Sequence, residues 1–161
     1  MTRIFFAALI PVFLVFATAL PAHAADPTVT YDKSDPEMND AIRAARKRLD
    51  WFLEGVESGR LPRDGASLKV AVPKSDGGAE HIWMFDFKRD GNRFEATVGN
   101  EPAYVPGMKL GDRYSFGREQ ISDWIYFRGE MMHGAYTLRV MLPRLPKREA
   151  DQLRAVLAPL E

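Results

Sequence analysis

Two acidic residues, Glu101 and Asp123, have the residue type and setting for acid–base chemistry. Each is predicted to lie at the end of a strand beside aromatic residues, and two carboxyl groups flanking a sugar can supply the acid and the base of glycoside cleavage. Structural roles are favoured for both residues, because Glu101 precedes Pro102 in a turn and Asp123 is placed to cap the turn before Trp124. Cell-wall glycan hydrolysis by these carboxylates is therefore an alternative hypothesis.

Other catalytic chemistries have less support in the sequence. The chain contains no cysteine, which excludes thiol nucleophiles and zinc–thiolate sites. His81 and His133 lack further ligands at metal-binding spacing, and no serine lies in a nucleophile elbow. A Ser-His-Asp triad could form only by assembly in space. We therefore assign no confident catalytic residue, no metal and no cofactor, and we expect a protein that is not an enzyme.

The principal hypothesis is an exported, non-catalytic binding or interaction module of the cell envelope. Aromatic and polar side chains near predicted turns and strand edges are its candidate contacts. The partner would be an envelope protein or a cell-wall component, and a periplasmic inhibitor of the immunity type is a variant of this hypothesis. The candidate binding residues are Asn100, Glu101, Asp123, Trp124, Tyr126 and Arg139.

The amino terminus predicts export by a cleavable signal peptide, residues 1–24. A positive start at Arg3 precedes an apolar run, and Ala22-His23-Ala24 supplies the small-x-small pattern at which signal peptidase cuts. The apolar run is short for a membrane span, which needs about 20 residues, although a retained anchor is an alternative. We expect a periplasmic protein cut after Ala24, with an extracellular location as the alternative.

Cleavage after Ala24 would leave 137 residues with 21 basic and 22 acidic side chains, a net charge of −1. Such a balanced chain has no field that would attract nucleic acid, and no later apolar run has membrane-spanning length. We expect a monomer or weak oligomer that binds neither nucleic acid nor membrane. The remaining chain is divided into a flexible leader (25–34), a single α+β domain (35–142) and a C-terminal amphipathic helix segment (143–161).

The domain is predicted to open with one amphipathic helix that ends near Gly59. Asp35 is its N-cap, Pro36 its first residue and Glu37 an acid in its first turn. One face is basic, and we expect Arg46 and Asp50 to pair there at i,i+4. The apolar stripe consists of Met38, Ile42, Ala45, Leu49, Phe52 and Val56.

A hairpin centred on Asp90-Gly91 is the strongest strand prediction. That register pairs Phe87 with Phe94, Phe85 with Ala96 and Trp83 with Val98, so all six apolar side chains would share the core face. Core burial is favoured for Trp83, whereas Tyr126 remains open between core and surface. A half-buried strand precedes the hairpin, with apolar residues at Leu68, Val70 and Val72.

Strands are also predicted over 113–116, 124–128 and 131–142, with a helical turn over 118–122 and a bulge or close approach at Gly134. A short amphipathic helix carrying Ala150, Leu153, Val156 and Leu160 follows. Runs of strands between helices indicate the α+β class. We predict an N-terminal amphipathic helix packed on a bent antiparallel sheet of about six strands, or a partly open barrel, with a short C-terminal helix.

A series of short motifs, in this order, resembles the bacterial domain of unknown function 2314 family, also called YegJ-like. The resemblance spans about residues 36–142 and leaves the last helix outside. It implies one compact module, and it implies no catalytic residues because the family has no settled activity. The motifs are 38–42 (MNDAI), 81–83 (HIW), 100–102 (NEP), 111–112 (GD), 121–124 (ISDW) and 134–139 (GAYTLR).

Overall fold

The computed structural model describes residues 35–160. The predicted signal peptide and leader, residues 1–34, lie outside the described residues. Four α-helices and six strands form an α+β fold around one open antiparallel sheet, as predicted. The helices are α1 (Pro36–Lys47), α2 (Leu49–Glu57), α3 (Tyr136–Met141) and α4 (Lys147–Val156); the strands are β1 (Ser67–Pro73), β2 (Ala79–Asp90), β3 (Arg93–Val98), β4 (Arg113–Gly117), β5 (Ile121–Arg128) and β6 (Met131–Gly134).

The sheet has the strand order β4-β3-β2-β1-β5-β6, so it is open and its edges are the short strands β4 and β6. The strands therefore form an open sheet and do not close into a barrel. Within residues 35–160, no helix is long and apolar enough to cross a membrane.

The first helix begins as predicted, because the Asp35 carboxylate accepts a hydrogen bond from the Met38 N–H at 3.1 Å. The single long helix is wrong, since the chain breaks between α1 and α2 at Arg48. At this break the Trp124 indole N–H donates to the Ala45 carbonyl at 2.9 Å. A continuous helix would bond that carbonyl to the Leu49 N–H.

The predicted pair of Arg46 with Asp50 is also wrong. The Arg46 guanidinium donates to the carbonyl oxygens of Glu119 and Ile121 at 2.7 and 2.8 Å. Asp50 instead forms an ion pair with Arg118 at 2.9 Å. Arg46 therefore connects α1 to the end of the sheet.

One face of the sheet packs against α1 and α2 through aromatic contacts. Phe52 on α2 stacks on Trp124 with ring centroids 4.8 Å apart, and its ring also lies beside Phe87 and Tyr126. Tyr126 is only 1% exposed, which settles its position as core. The other strand residues of this core face include Leu68, Val70, Val72, Ile82, Met84, Phe94, Ala96, Val98 and Phe116.

The β2–β3 hairpin is confirmed, but its predicted register is wrong. Asp90 pairs with Arg93 across a turn of Gly91 and Asn92, and Phe94 lies opposite Arg89. Farther along, β2 carries an extra residue opposite β3, and Asp86 there has φ +49°. Such a bulge reverses which face the following side chains occupy.

This bulge places the aromatic residues of β2 on both faces of the sheet. Phe87 faces the core, whereas Trp83 is half-buried and Phe85 is 44% exposed on the opposite face. Core burial of Trp83 and Phe85 was therefore a wrong prediction, and Ile82 and Met84 fill the core instead.

The predicted strand over 131–142 is also only partly present. It ends at Gly134, and α3 follows after Ala135. Gly134 has φ +78°, and a side chain there would overlap the Trp124 carbonyl and indole ring. The predicted close approach at Gly134 is confirmed. The C-terminal helix is present as α4, in which Ala150 is 2% exposed.

Substitution of Gly134 by alanine is expected to lower the free energy of unfolding by about 3 kcal/mol, because the new methyl group overlaps Trp124. Gly129→Ala is the matched control, since Gly129 also has positive φ but has no atom within 4 Å of an added Cβ. The control should lose only about 1 kcal/mol. Urea unfolding measures both, and equal losses would contradict the close approach.

Candidate functional site

The face of the sheet opposite α1 and α2 carries a mixed aromatic and polar surface, which we call the open face. Two rows of paired residues cross it. Phe85, Ser67 and Ile125 form one row, and Trp83, Lys69 and Asp123 form the other. The residues of the open face are Ser67, Lys69, Ala71, His81, Trp83, Phe85, Ile125 and Phe127.

Lys69 is the most unusual residue of the open face, because it is 8% exposed in the middle of β1. Its ammonium lies 5.1 Å from the centroid of the Trp83 ring. Among residues 35–160, no acid lies within 4.0 Å of this ammonium and no atom accepts a hydrogen bond from it. Removing a charge from water without a partner is costly, so this group can receive an anion.

Asp123 lies opposite Lys69 in the sheet but directs its carboxylate to α3. It accepts hydrogen bonds from the Thr137 N–H at 2.8 Å, the Thr137 hydroxyl at 2.7 Å and the Tyr136 N–H at 3.2 Å. The Trp124 N–H adds a fourth at 2.8 Å. Burial raises the pKa of Asp123, whereas the Thr137 hydrogen bonds and the charge of Lys69 oppose that shift. Asp123 therefore fixes the start of α3.

His81 contacts Ser122 at the edge of this cluster, with Nδ1 and Oγ 2.8 Å apart. The Ser122 hydroxyl donates to the Lys69 carbonyl at 3.1 Å. Because a hydroxyl has one proton, Nδ1–H of His81 is the donor to Ser122, which leaves Nε2 as an acceptor. Desolvation, with the charges of Lys69 and Arg46, lowers the pKa of His81 to about 4.

A Ser–His pair thus forms in space, but its geometry does not suit nucleophilic attack. Ser122 is 0% exposed, and its proton is directed to a backbone carbonyl and not to His81. The Asp123 carboxylate bonds α3 and Trp124 instead of the imidazole. A triad would require the acid to hold the histidine and the serine to reach a substrate.

The two carboxylates considered for hydrolysis lie far apart. One row across the sheet runs from Asp123 on β5 through Lys69 and Trp83 to Gly99, the residue after β3. Three strand spacings therefore separate Asp123 from Gly99, which is about 14 Å, and Glu101 lies two residues farther on. Glycosidase carboxyl groups are about 5 to 9.5 Å apart, so Glu101 and Asp123 are not arranged for this reaction.

The remaining sequence candidates are divided between the core and a surface loop. The Trp124 indole is 3% exposed. Arg139 donates to the carbonyls of Gly134 and Ala158 at 3.2 and 2.6 Å.

The other two candidates lie on the loop after β3. Asn100 accepts the Trp83 N–H at 2.9 Å. Glu101 is exposed in a cleft of about 480 Å³ beside Lys74.

Asp123, Trp124 and Arg139 thus lie together near the start of α3, whereas Asn100 and Glu101 lie across the sheet from them. Sequence reasoning missed Lys69, His81 and Trp83 as a surface cluster. The available signal was a lysine alternating with Leu68 and Val70 in a strand of otherwise apolar and small residues. Within residues 35–160, no group of three histidine, aspartate or glutamate residues is arranged to hold a metal ion.

The match of residues 35–157 assigns the chain to a bacterial protein family. The chain belongs to the family described as "Uncharacterized protein conserved in bacteria" (DUF2314). The match includes α4, so the expectation that the last helix lies outside the family pattern was wrong.

Two curated relatives are similar to this chain. The uncharacterized protein YegJ of Escherichia coli strain K12 is 37% identical over 147 residues, which cover 89% of this chain and 92% of YegJ. The "Putative ankyrin repeat protein" of Neisseria meningitidis serogroup B is 25% identical over 128 residues, or 75% of this chain and 51% of that protein. This chain spans about half of the Neisseria protein. No solved structure matches.

Substitution Asp123→Ala should lower the free energy of unfolding by about 3 kcal/mol, because three N–H groups and a hydroxyl lose a buried acceptor. Asp112→Ala is the control, since within residues 35–160 the exposed Asp112 carboxylate accepts only the Lys109 N–H in its own turn. We expect it to cost less than about 1 kcal/mol. Thermal and urea unfolding compare the two, and a mild effect at Asp123 would disprove its role in fixing α3.

The lowered pKa of His81 predicts that stability falls as the pH is reduced from 6.5 toward 4. In this window the unfolded chain binds the proton and the folded chain does not, so acid favours unfolding. His81→Gln should lose less stability than the wild type between these pH values. An NMR titration should place the His81 midpoint near 4, and Lys69→Met should raise it; a midpoint of 6.5 in both proteins would contradict this environment.

Proposed function

We propose that this chain is an exported, non-catalytic binding module of the cell envelope, and that the open face is its contact surface. The observation that carries the proposal is Lys69, a residue that is 8% exposed beside an aromatic surface and whose ammonium has no acid within 4.0 Å among the described residues. Aromatic side chains around a shielded charge are typical of binding sites.

Exposure of large apolar side chains on the open face supports the same proposal. Phe85 is 44% exposed, and its neighbours Trp83, Ile125 and Phe127 are half-buried. Neighbouring apolar side chains that are exposed together support a contact with a partner or ligand at this face. The predicted signal peptide supports placing that contact in the periplasm.

The geometry gives no comparable support to glycan hydrolysis. Such a reaction needs two carboxyl groups on either side of one glycosidic bond. Asp123 is 0% exposed and bonded to α3, while Glu101 lies on the loop after β3. An inhibitor of the immunity type would use the open face as a binding module does, with a protein as the partner.

Photocrosslinking in cells tests this proposal. Benzoylphenylalanine placed at Phe85 should form an adduct with an envelope component, because this side chain lies at the centre of the exposed surface. Leu160 is the matched control, with 49% exposure against 44% for Phe85. A third probe is placed at Leu110, whose N–H donates to the Glu101 carboxylate at 3.4 Å. It tests the loop that carries Asn100 and Glu101, two of the contacts predicted from the sequence.

The expected result is an adduct at position 85 and none at 110 or 160, formed by a periplasmic protein whose first residue is Ala25. Equal crosslinking at all three positions, or adducts only at 110, would overturn the open face as the contact surface. A chain recovered from the cytoplasm with residues 1–24 attached would overturn the envelope location.

A further inference from the structure

We infer that the open face binds a fatty acid, with the carboxylate at Lys69 and the acyl chain along β1; this inference rests on the proposed function. The ligand class follows from the charge at one end of the surface, from the shape of the surface beside it and from the polar groups that a bound chain would bring.

The charge available on the open face matches a singly charged anion. Lys69 supplies one ammonium, and His81 stays neutral at pH 7 because its pKa is lowered to about 4. The nearby Arg113 is already bonded to Glu95 at 2.6 Å and to Asp86 at 3.3 Å. Phosphate monoesters usually bind several cations or an arginine fork, so one lysine favours a carboxylate.

Neutral His81 offers no donor to the carboxylate, because its Nδ1–H bonds Ser122 and its Nε2 is an acceptor. The open face therefore selects an anion through the charge of Lys69. The ammonium has no acid within 4.0 Å in the described part of the chain. A ligand carboxylate would supply the missing acceptor, and its binding would remove the cost of the unpaired charge.

Side-chain sizes form a shallow trough that runs from Lys69 along β1. Ser67 is small and lies between Phe85 on β2 and Ile125 on β5. Gly65 lies in the turn before β1, and the Phe127 ring covers it, since an added Cβ there would lie 3.1 Å from that ring. The distance from residue 69 to residue 67 along the strand is about 7 Å. An apolar chain with its charged end at Lys69 would therefore pass over Ser67 and then lie against the Phe127 ring.

A peptide fits this trough less well than an acyl chain. Each peptide unit would bring an N–H and a carbonyl that need hydrogen-bond partners. The walls of the trough are the hydrocarbon and aromatic groups of Phe85, Ile125 and Phe127, which offer none. An acyl chain carries no polar group beyond its carboxylate, so we commit to a fatty acid.

Calorimetric titration of the mature chain, residues 25–161, with dodecanoate below its micelle concentration tests the inference. We expect a dissociation constant of about 100 µM, the scale set by partial burial of one acyl chain. From octanoate to dodecanoate the affinity should rise about twofold per methylene, because half of each group stays exposed. Dodecanol, which lacks the charge, should bind at least tenfold more weakly.

Lys69→Met separates charge from burial, since methionine keeps an apolar stem of similar length. This variant should lose at least tenfold in dodecanoate affinity and keep the weak dodecanol binding. Lys74→Met, in the turn after β1, is the matched control and should bind like the wild type. Ser67→Leu should fill the trough and weaken both ligands, with thermal unfolding reporting whether each variant folds.

Equal binding of dodecanoate and dodecanol, or an unchanged Lys69→Met variant, would overturn the inference. Absence of binding together with a persistent adduct at position 85 would overturn the fatty acid and leave the proposed function standing. Absence of both would overturn both. A concentration-dependent dimer that Ser67→Leu disrupts would identify a second copy of the chain as the occupant, and would also overturn the inference.

Discussion

The left-handed backbone at Asp86 is the constraint on which the two faces of the sheet depend. This one extra residue in β2 turns Phe87 toward Phe52 in the core while Trp83 and Phe85 face outward. Without it, a regular alternation would place all three aromatic residues on the same face. Aspartate tolerates positive φ better than most residues, and its carboxylate reaches Arg113 on β4. The bulge therefore determines both the packing of the core and the composition of the open face.

Two buried charged residues opposite one another in the sheet have different surroundings. Asp123 receives four hydrogen bonds and thereby connects β5 to α3. Among the described residues, Lys69 has the face of the Trp83 ring 5.1 Å from its ammonium and no acid within 4.0 Å, although its charge acts on the Asp123 carboxyl. Burial of a charge is tolerated when it is fully bonded, which explains Asp123 as a structural residue. The same principle makes Lys69 the residue on which the proposed binding role rests.

Local patterns predicted the parts of this fold that local physics determines. The cap at Asp35, the apolar alternation of β1 and the existence of the hairpin follow from neighbouring residues alone. The bulge at Asp86, which reverses the faces that the β2 side chains occupy, could not be predicted. The Asp90-Gly91 turn signal contains no information about an extra residue four positions away. The break at Arg48 coincides with a tertiary hydrogen bond from the Trp124 indole to the Ala45 carbonyl, which neighbouring residues do not report. The site was missed for the same reason. The predicted register placed Trp83 on the core face, so Lys69 and His81 had no aromatic neighbour in the prediction.

The short edges of the sheet have a consequence for solubility. β6 has only four residues and β4 five, and the Ala158 N–H occupies the Met132 carbonyl on the outer side of β6. Strand-to-strand addition of further copies is thereby restricted. A protein that displays hydrocarbon on a broad sheet surface would otherwise be prone to polymerise into fibres. Here the exposed apolar surface and the unpaired backbone lie at different parts of the sheet, which restricts the growth of the sheet from one copy to the next.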